Sequence, residues 1–262
     1  MRLPLLLVLL LGLGCRMGTV ELPPMEWRLE TDDSAATLRV RAMVTGEASD
    51  PHLRSLQAIQ RIRVRLLSPA GELLEQTELV PTVSGMAGEG RQSLVLLAEQ
   101  RLGLAPDALP GRVGLEYTLL RAQGEPVQGR LWVQRYHRSG TLELAPEVES
   151  TAHGLIFRLR VRRRSPPPSE YFPSSERLRV ELFDGVKQVW SSAAGVMFLQ
   201  VIGEVEPRQP GEEQLYEYRW DGQLRTGEAL PAGRYRVCMS LPAQPQQYVV
   251  CLPLEWHGKR TQ

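Results

Sequence analysis

The sequence predicts an all-β protein, with two tandem β-sandwich domains behind a signal peptide. Three observations predict it. Apolar residues recur with period two through most of the 262 residues, which is the spacing of half-buried strands. Glycine and proline punctuate these runs at short intervals, as turns between many short strands require. Only the N-terminus departs from this pattern, with an almost unbroken apolar run from Leu3 to Leu13 behind Arg2.

That run is too short for a bilayer core, which needs about 20 helical residues. A charged start, a short apolar stretch and small residues at the exit describe a secretory signal. The run ends Leu11-Gly12-Leu13-Gly14-Cys15, which resembles the lipobox of bacterial lipoproteins. Gly12 stands where that pattern usually has leucine, while the small Gly14 before Cys15 fits. The resemblance implies cleavage before Cys15 and acylation of that residue; the alternative is an ordinary signal peptide. The expected layout is a lipoprotein-type signal over 1–14, a tether over 15–25, an unidentified sandwich over 26–138, a second sandwich over 139–257 and a tail over 258–262. The protein is then exported and anchored in the cell envelope, at the outer membrane or periplasmic side of a Gram-negative bacterium.

In the first half, Leu38, Val40 and Ala42 alternate with arginines, as do Ile62, Val64 and Leu66, and Leu115, Tyr117 and Leu119 continue the period. Short helices are expected only at Asp50–Gln60 and Leu94–Leu102. A polar joint at His137–Gly140 divides the halves. A loose echo then follows: Ala36–Ala42, a polar loop and Arg61–Leu66 match Leu155–Val161, a polar loop and Arg177–Leu182 in order. Arg158, Arg160, Arg162, Arg163 and Arg164 read as the solvated face of a strand.

Tyr216, Tyr218 and Trp220 form a half-buried strand, which Asp221-Gly222 breaks. Gly227 marks a loop, and Pro231-Ala232-Gly233 fits a type I turn. The strand after it places Tyr235, Val237, Met239 and Leu241 on one face and Arg234, Arg236, Cys238 and Ser240 on the other. If Cys15 is acylated, Cys238 and Cys251 remain as a pair. Pairing Leu241 with Tyr248 about the loop Pro242–Gln247 sets the two cysteines directly opposite, as a disulfide requires.

Lys and Arg number 31 against 30 Asp and Glu, so no charge imbalance steers the chain toward nucleic acid. Four histidines stand in no metal spacing, and no nucleophile-elbow or phosphate-loop motif occurs. No enzyme, metal or cofactor is expected.

From Leu142 to Leu254 the chain resembles the BsuPI family, the intracellular proteinase inhibitor domain of Bacillus. The residues that carry the resemblance are Tyr171–Arg177, Val189-Trp190-Ser191, Val196-Met197-Phe198-Leu199-Gln200, Pro210-Gly211-Glu212, Trp220-Asp221-Gly222, Gly227 and Leu230–Tyr235, which includes Gly233 and Tyr235. The resemblance implies an immunoglobulin-like sandwich and a protein that binds and inhibits a proteinase. The alternative is a structural or adhesive lipoprotein that contacts another envelope protein or a glycan. Trp190, Phe198, Trp220 and Tyr235 are expected in the core, and Asp221 in an Asx turn. Loops that could dock a proteinase are Ser165–Ser169, Ala193–Gly195 and Pro242–Gln247.

Overall fold

The computed structural model describes residues 22–258. Cys15, the signal over 1–14 and all of the tail but Gly258 lie outside the described residues. Strands in the first half are β1 (Met25–Thr31), β2 (Ala36–Gly46), β3 (Ile59–Leu67), β4 (Leu73–Leu79), β5 (Thr82–Gly88), β6 (Arg91–Leu102), β7 (Arg112–Arg121) and β8 (Val127–Ser139). The second half contains β9 (Leu142–Thr151), β10 (Gly154–Arg163), β11 (Tyr171–Phe172), β12 (Arg179–Asp184), β13 (Lys187–Ser191), β14 (Gly203–Glu204), β15 (Glu213–Trp220), β16 (Gly233–Leu241) and β17 (Tyr248–Trp256).

Each half is a sandwich with its own core, and the two share one wiring. In the first, β1-β2-β6-β5 faces β4-β3-β7-β8; in the second, β15-β10-β9 faces β13-β12-β16-β17. The pairs β1–β2, β2–β6, β3–β4, β3–β7 and β7–β8 correspond in order to β9–β10, β10–β15, β12–β13, β12–β16 and β16–β17. The sequence echo is thus a topological repeat. The end of β8 pairs in parallel with β1 and antiparallel with β9, so hydrogen bonding runs through His137–Ser139 into Leu142–Leu144.

Among the described residues there is one short α-helix, α1 (Pro51–Gln57). Proline stands at its start, and the Asp50 carboxylate accepts from the His52 N–H at 2.8 Å, which satisfies one free donor of the first turn. The expected helix at Leu94–Leu102 is strand β6 instead. Leu94, Leu96 and Ala98 are buried in alternation, and a strand between β2 and β5 buries that set while a helix would spread it around its axis. The hydrogen-bonded turn after Asp221 closes from Leu224 to Gly227, not at Pro231–Gly233.

On β16 the two-faced expectation holds only at the start. From Val237 to Leu241 every residue is buried, Cys238 and Ser240 included. The first sandwich packs beside this face: its 3-10 turn over Pro106–Ala108 lies on β17, and Arg236 reaches Asp107 at 3.6 Å, while Gln247 donates to the Ser240 hydroxyl. Arg135 of β8 is fully buried between the halves and donates to the carbonyls of Pro106 and Cys251, the latter at 2.8 Å. Burial pushes its guanidinium down to about 10, against the opposing charge of Asp107. Arg28 of β1 also bonds the buried Glu143 of β9 at 2.6 Å.

Cys238 lies opposite Cys251 with Leu241 opposite Tyr248, and the cysteines form a disulfide across a Cα–Cα distance of 4.1 Å. Closing so short a loop contributes about 3 kcal/mol on the chain-entropy estimate.

Candidate docking site

Four segments converge at one end of the second sandwich: the strap after β10, residues 173–178, the loop after β13 and the β16–β17 loop. Tyr171 and Gln244 exchange backbone hydrogen bonds at 3.0 and 2.9 Å, and β11 pairs with β14. The Ser175 N–H donates to the Leu199 carbonyl at 2.8 Å, and the Leu199 N–H donates to the Ser175 hydroxyl at 3.0 Å. Between them lies a groove of about 510 Å³, lined by Pro173, Glu176, Val196, Phe198, Pro242 and Gln247 among others. Of the three candidate loops, Pro242–Gln247 lines this groove, the one at Ala193–Gly195 leads into it at Val196, and the strap carrying Ser165–Ser169 leads into Tyr171.

A buried ionic knot holds the base of these segments. The Arg163 guanidinium meets the Glu170 carboxylate at 2.6 Å, with both side chains buried. Arg163 also donates to the Pro207 carbonyl at 2.8 Å and to the Thr141 hydroxyl at 2.7 Å. The Tyr248 hydroxyl donates to the second oxygen of Glu170, and burial together with that bond raises the phenol above its ordinary value. Strap, hairpin, 205–207 segment and β17 are therefore tied to one cation. Expectation placed Arg163 on a solvated face. That is corrected: Phe157, Leu159, Val161 and Arg163 share the inward parity of β10, while Arg158, Arg160, Arg162 and Arg164 do not.

Other signature residues divide into two groups. Trp190 and Trp220 are core residues, with ring centroids 4.6 Å apart and Phe157 beside both. The Trp220 indole N–H donates to the Gln223 carbonyl at 2.9 Å, and the Asp221 carboxylate accepts the Gln223 N–H at 3.0 Å, an Asx turn. Gly222 takes φ +78° there, a conformation open to glycine at no steric cost. Pro210 and Gly211 form the turn before β15, where Gly211 N–H donates to the Arg163 carbonyl. Tyr235 packs half-buried against the core, and its hydroxyl donates to the Pro231 carbonyl. Gly233 opens β16.

Met197 and Phe198 behave differently. Phe198, expected in the core, lies off it against the groove, and Met197 is 97 % exposed. Val196, Leu199, Val201 and Ile202 are exposed as well. The segment follows the turn that ends at Gly195 and adopts neither helix, strand nor turn before β14, so no period forces its apolar side chains inward. Among the described residues no three His, Cys, Asp or Glu side chains gather where a metal ion could sit.

The family comparison decides what this sandwich resembles. Residues 142–246 match the BsuPI family, described as intracellular proteinase inhibitor. The match starts at β9, where the resemblance was read, and stops within the β16–β17 loop, short of Cys251. The BsuPI match thus spans the docking end but leaves β17 and the first sandwich outside. No curated protein matches the chain. Among solved structures it is similar to dimeric latent PorU from Porphyromonas gingivalis (14 % identity, 89 % of this chain, 20 % of that one, TM-score 0.27). Mouse nectin-like molecule 4 (full ectodomain, Ig1–Ig3) shares 12 % identity over 89 % of this chain and 62 % of its own, with TM-score 0.22. The C-terminal domain of the Streptococcus agalactiae AgI/II polypeptide BspA gives 6 %, 88 %, 100 % and 0.24 for the same quantities. The chain therefore spans about a fifth of the PorU chain it matches, and under two thirds of the nectin-like one.

Proposed function

We propose that the protein is an exported, lipid-anchored envelope protein that binds and inhibits a proteinase through the loop end of its BsuPI domain. The observation that carries this reading is that the family match spans the groove and its exposed apolar loop. Preorganisation supports it: a loop already held by Ser175, beside a strap and β17 tied together by the Arg163–Glu170 pair, loses little conformational entropy on docking. The Cys238–Cys251 disulfide accords with an oxidising compartment, and acylated Cys15 would hold the body at a membrane surface. The first sandwich then acts as a rigid spacer, joined through Arg135 and Glu143.

The test is inhibition by the full chain in mild detergent against exported proteinases of different primary specificity. Saturable inhibition of at least one is expected. Absence of inhibition, together with capture of a non-proteinase partner from the envelope, would replace this reading with the structural or adhesive one. Cys15→Ser is expected to abolish acyl labelling and release the chain from membranes, and unchanged labelling and retention would refute the anchor.

A further inference from the structure

We infer that Met197 enters the primary specificity pocket of the target, and that the target is a proteinase with an uncharged, apolar pocket. This rests on the proposed inhibitory role and names its contact. No charged residue lies between Lys187 and Glu204, in a chain where 23 % of residues are charged. That gap includes the most exposed large apolar side chain of the described residues, Met197 at 97 %. Its neighbours Val196, Leu199, Val201 and Ile202 are between 50 % and 76 % exposed. Isolated exposed apolar residues are ordinary, as is Val186 at 96 % in a hairpin turn beside Asp184 and Lys187. A run of them marks a contact surface. Exposed apolar side chains on both sides of the half-buried Phe198 leave an apolar outer edge along the segment, which suits a cleft and not a flat face.

The segment is fixed at both ends. Before it, the Val196 N–H donates to the Ala193 carbonyl at 3.2 Å, and Gly195 takes φ +73°. After it, Leu199 is clamped through both its N–H and its carbonyl by Ser175. Met197 therefore projects between two anchored points. Its unbranched thioether fills irregular apolar pockets. Met197 itself would leave the carboxylate or ammonium of a charged pocket unpaired, which disfavours such a proteinase by the cost of desolvating that charge. Insertion into a bilayer is the weaker match, because Val196–Ile202 itself carries no Lys or Arg, the cations packed beside it being Arg225 at Gly195 and Arg177 at Gly203.

The test compares full-length variants against a proteinase that the native chain inhibits. Met197→Asp is expected to weaken inhibition by roughly 100-fold, as for a buried anchor residue. Met197→Leu should remain within a few-fold, and Val186→Asp, equally exposed and outside the loop, should change nothing. Native inhibition should fall on proteinases that cleave after apolar residues. If Met197→Asp still inhibits fully, or only Lys- or Arg-specific proteinases are inhibited, the assignment of Met197 is overturned while the inhibitory function stands. If Met197→Asp in the Cys15→Ser background loses vesicle association instead, the segment contacts lipid and the assignment falls. If the native chain inhibits no proteinase, the functional reading falls and this inference with it.

Discussion

Replacing Arg163 with methionine is expected to destabilise the protein by about 3–5 kcal/mol, the usual cost of leaving one member of a buried ion pair without its partner. Glu170 would remain enclosed, with the Tyr248 hydroxyl as its one remaining side-chain donor. The Pro207 carbonyl and the Thr141 hydroxyl would also lose their donor. Adding Glu170→Gln should recover a large part of the loss, because a neutral amide is far cheaper to bury than a carboxylate and can still accept from Tyr248. Guanidinium denaturation of the two variants and the native chain measures both effects. A loss below about 1 kcal/mol for Arg163→Met would put the pair in the class of solvent-screened surface bridges and contradict the burial described.

Trp220→Ala is expected to cost about 3–5 kcal/mol, the range for truncating a large aromatic in a packed core. The ring lies against Trp190 and Phe157, and its N–H holds the Gln223 carbonyl, so truncation opens the core and frees the Asp221–Gly227 loop together. Trp220→Phe keeps most of the apolar volume and should cost clearly less. Met197→Ala, which removes a side chain of similar length, should leave the denaturation midpoint in place, because that side chain is almost wholly in solvent. Equal losses in Trp220→Ala and Met197→Ala would mean that the two halves of the family signature are not divided into core and surface.

That division marks what the sequence could and could not disclose. Period two identifies β10, β15 and β16 because each has one apolar face, and the symmetric placement of Cys238 and Cys251 gives the register of β16 with β17. Leu94–Leu102 was misread because a short apolar run carries weak periodicity, and only the neighbours β2 and β5 decide it. Arg163 and Arg135 both occupy inward parity, after Val161 and after Val133. For Arg163 parity was the available signal, but the expectation that arginine is solvated overrode it. The burial of Cys238 and Ser240 was not legible, since it depends on what covers that face: the first sandwich packs on β17, which carries Cys251, and Gln247 donates to the Ser240 hydroxyl. Met197 and Phe198 were legible as a signature but not as surface, because a motif of apolar residues reads equally well as core when no strand period or turn fixes its direction.

The most direct measurement of the account is amide hydrogen exchange of the full chain, free and bound to a proteinase it inhibits. Protection on binding is expected at Ala193–Ile202 and Pro242–Gln247, with the first sandwich unchanged. Protection confined to the first sandwich, or absent from the Ala193–Ile202 segment in a saturated complex, would contradict it.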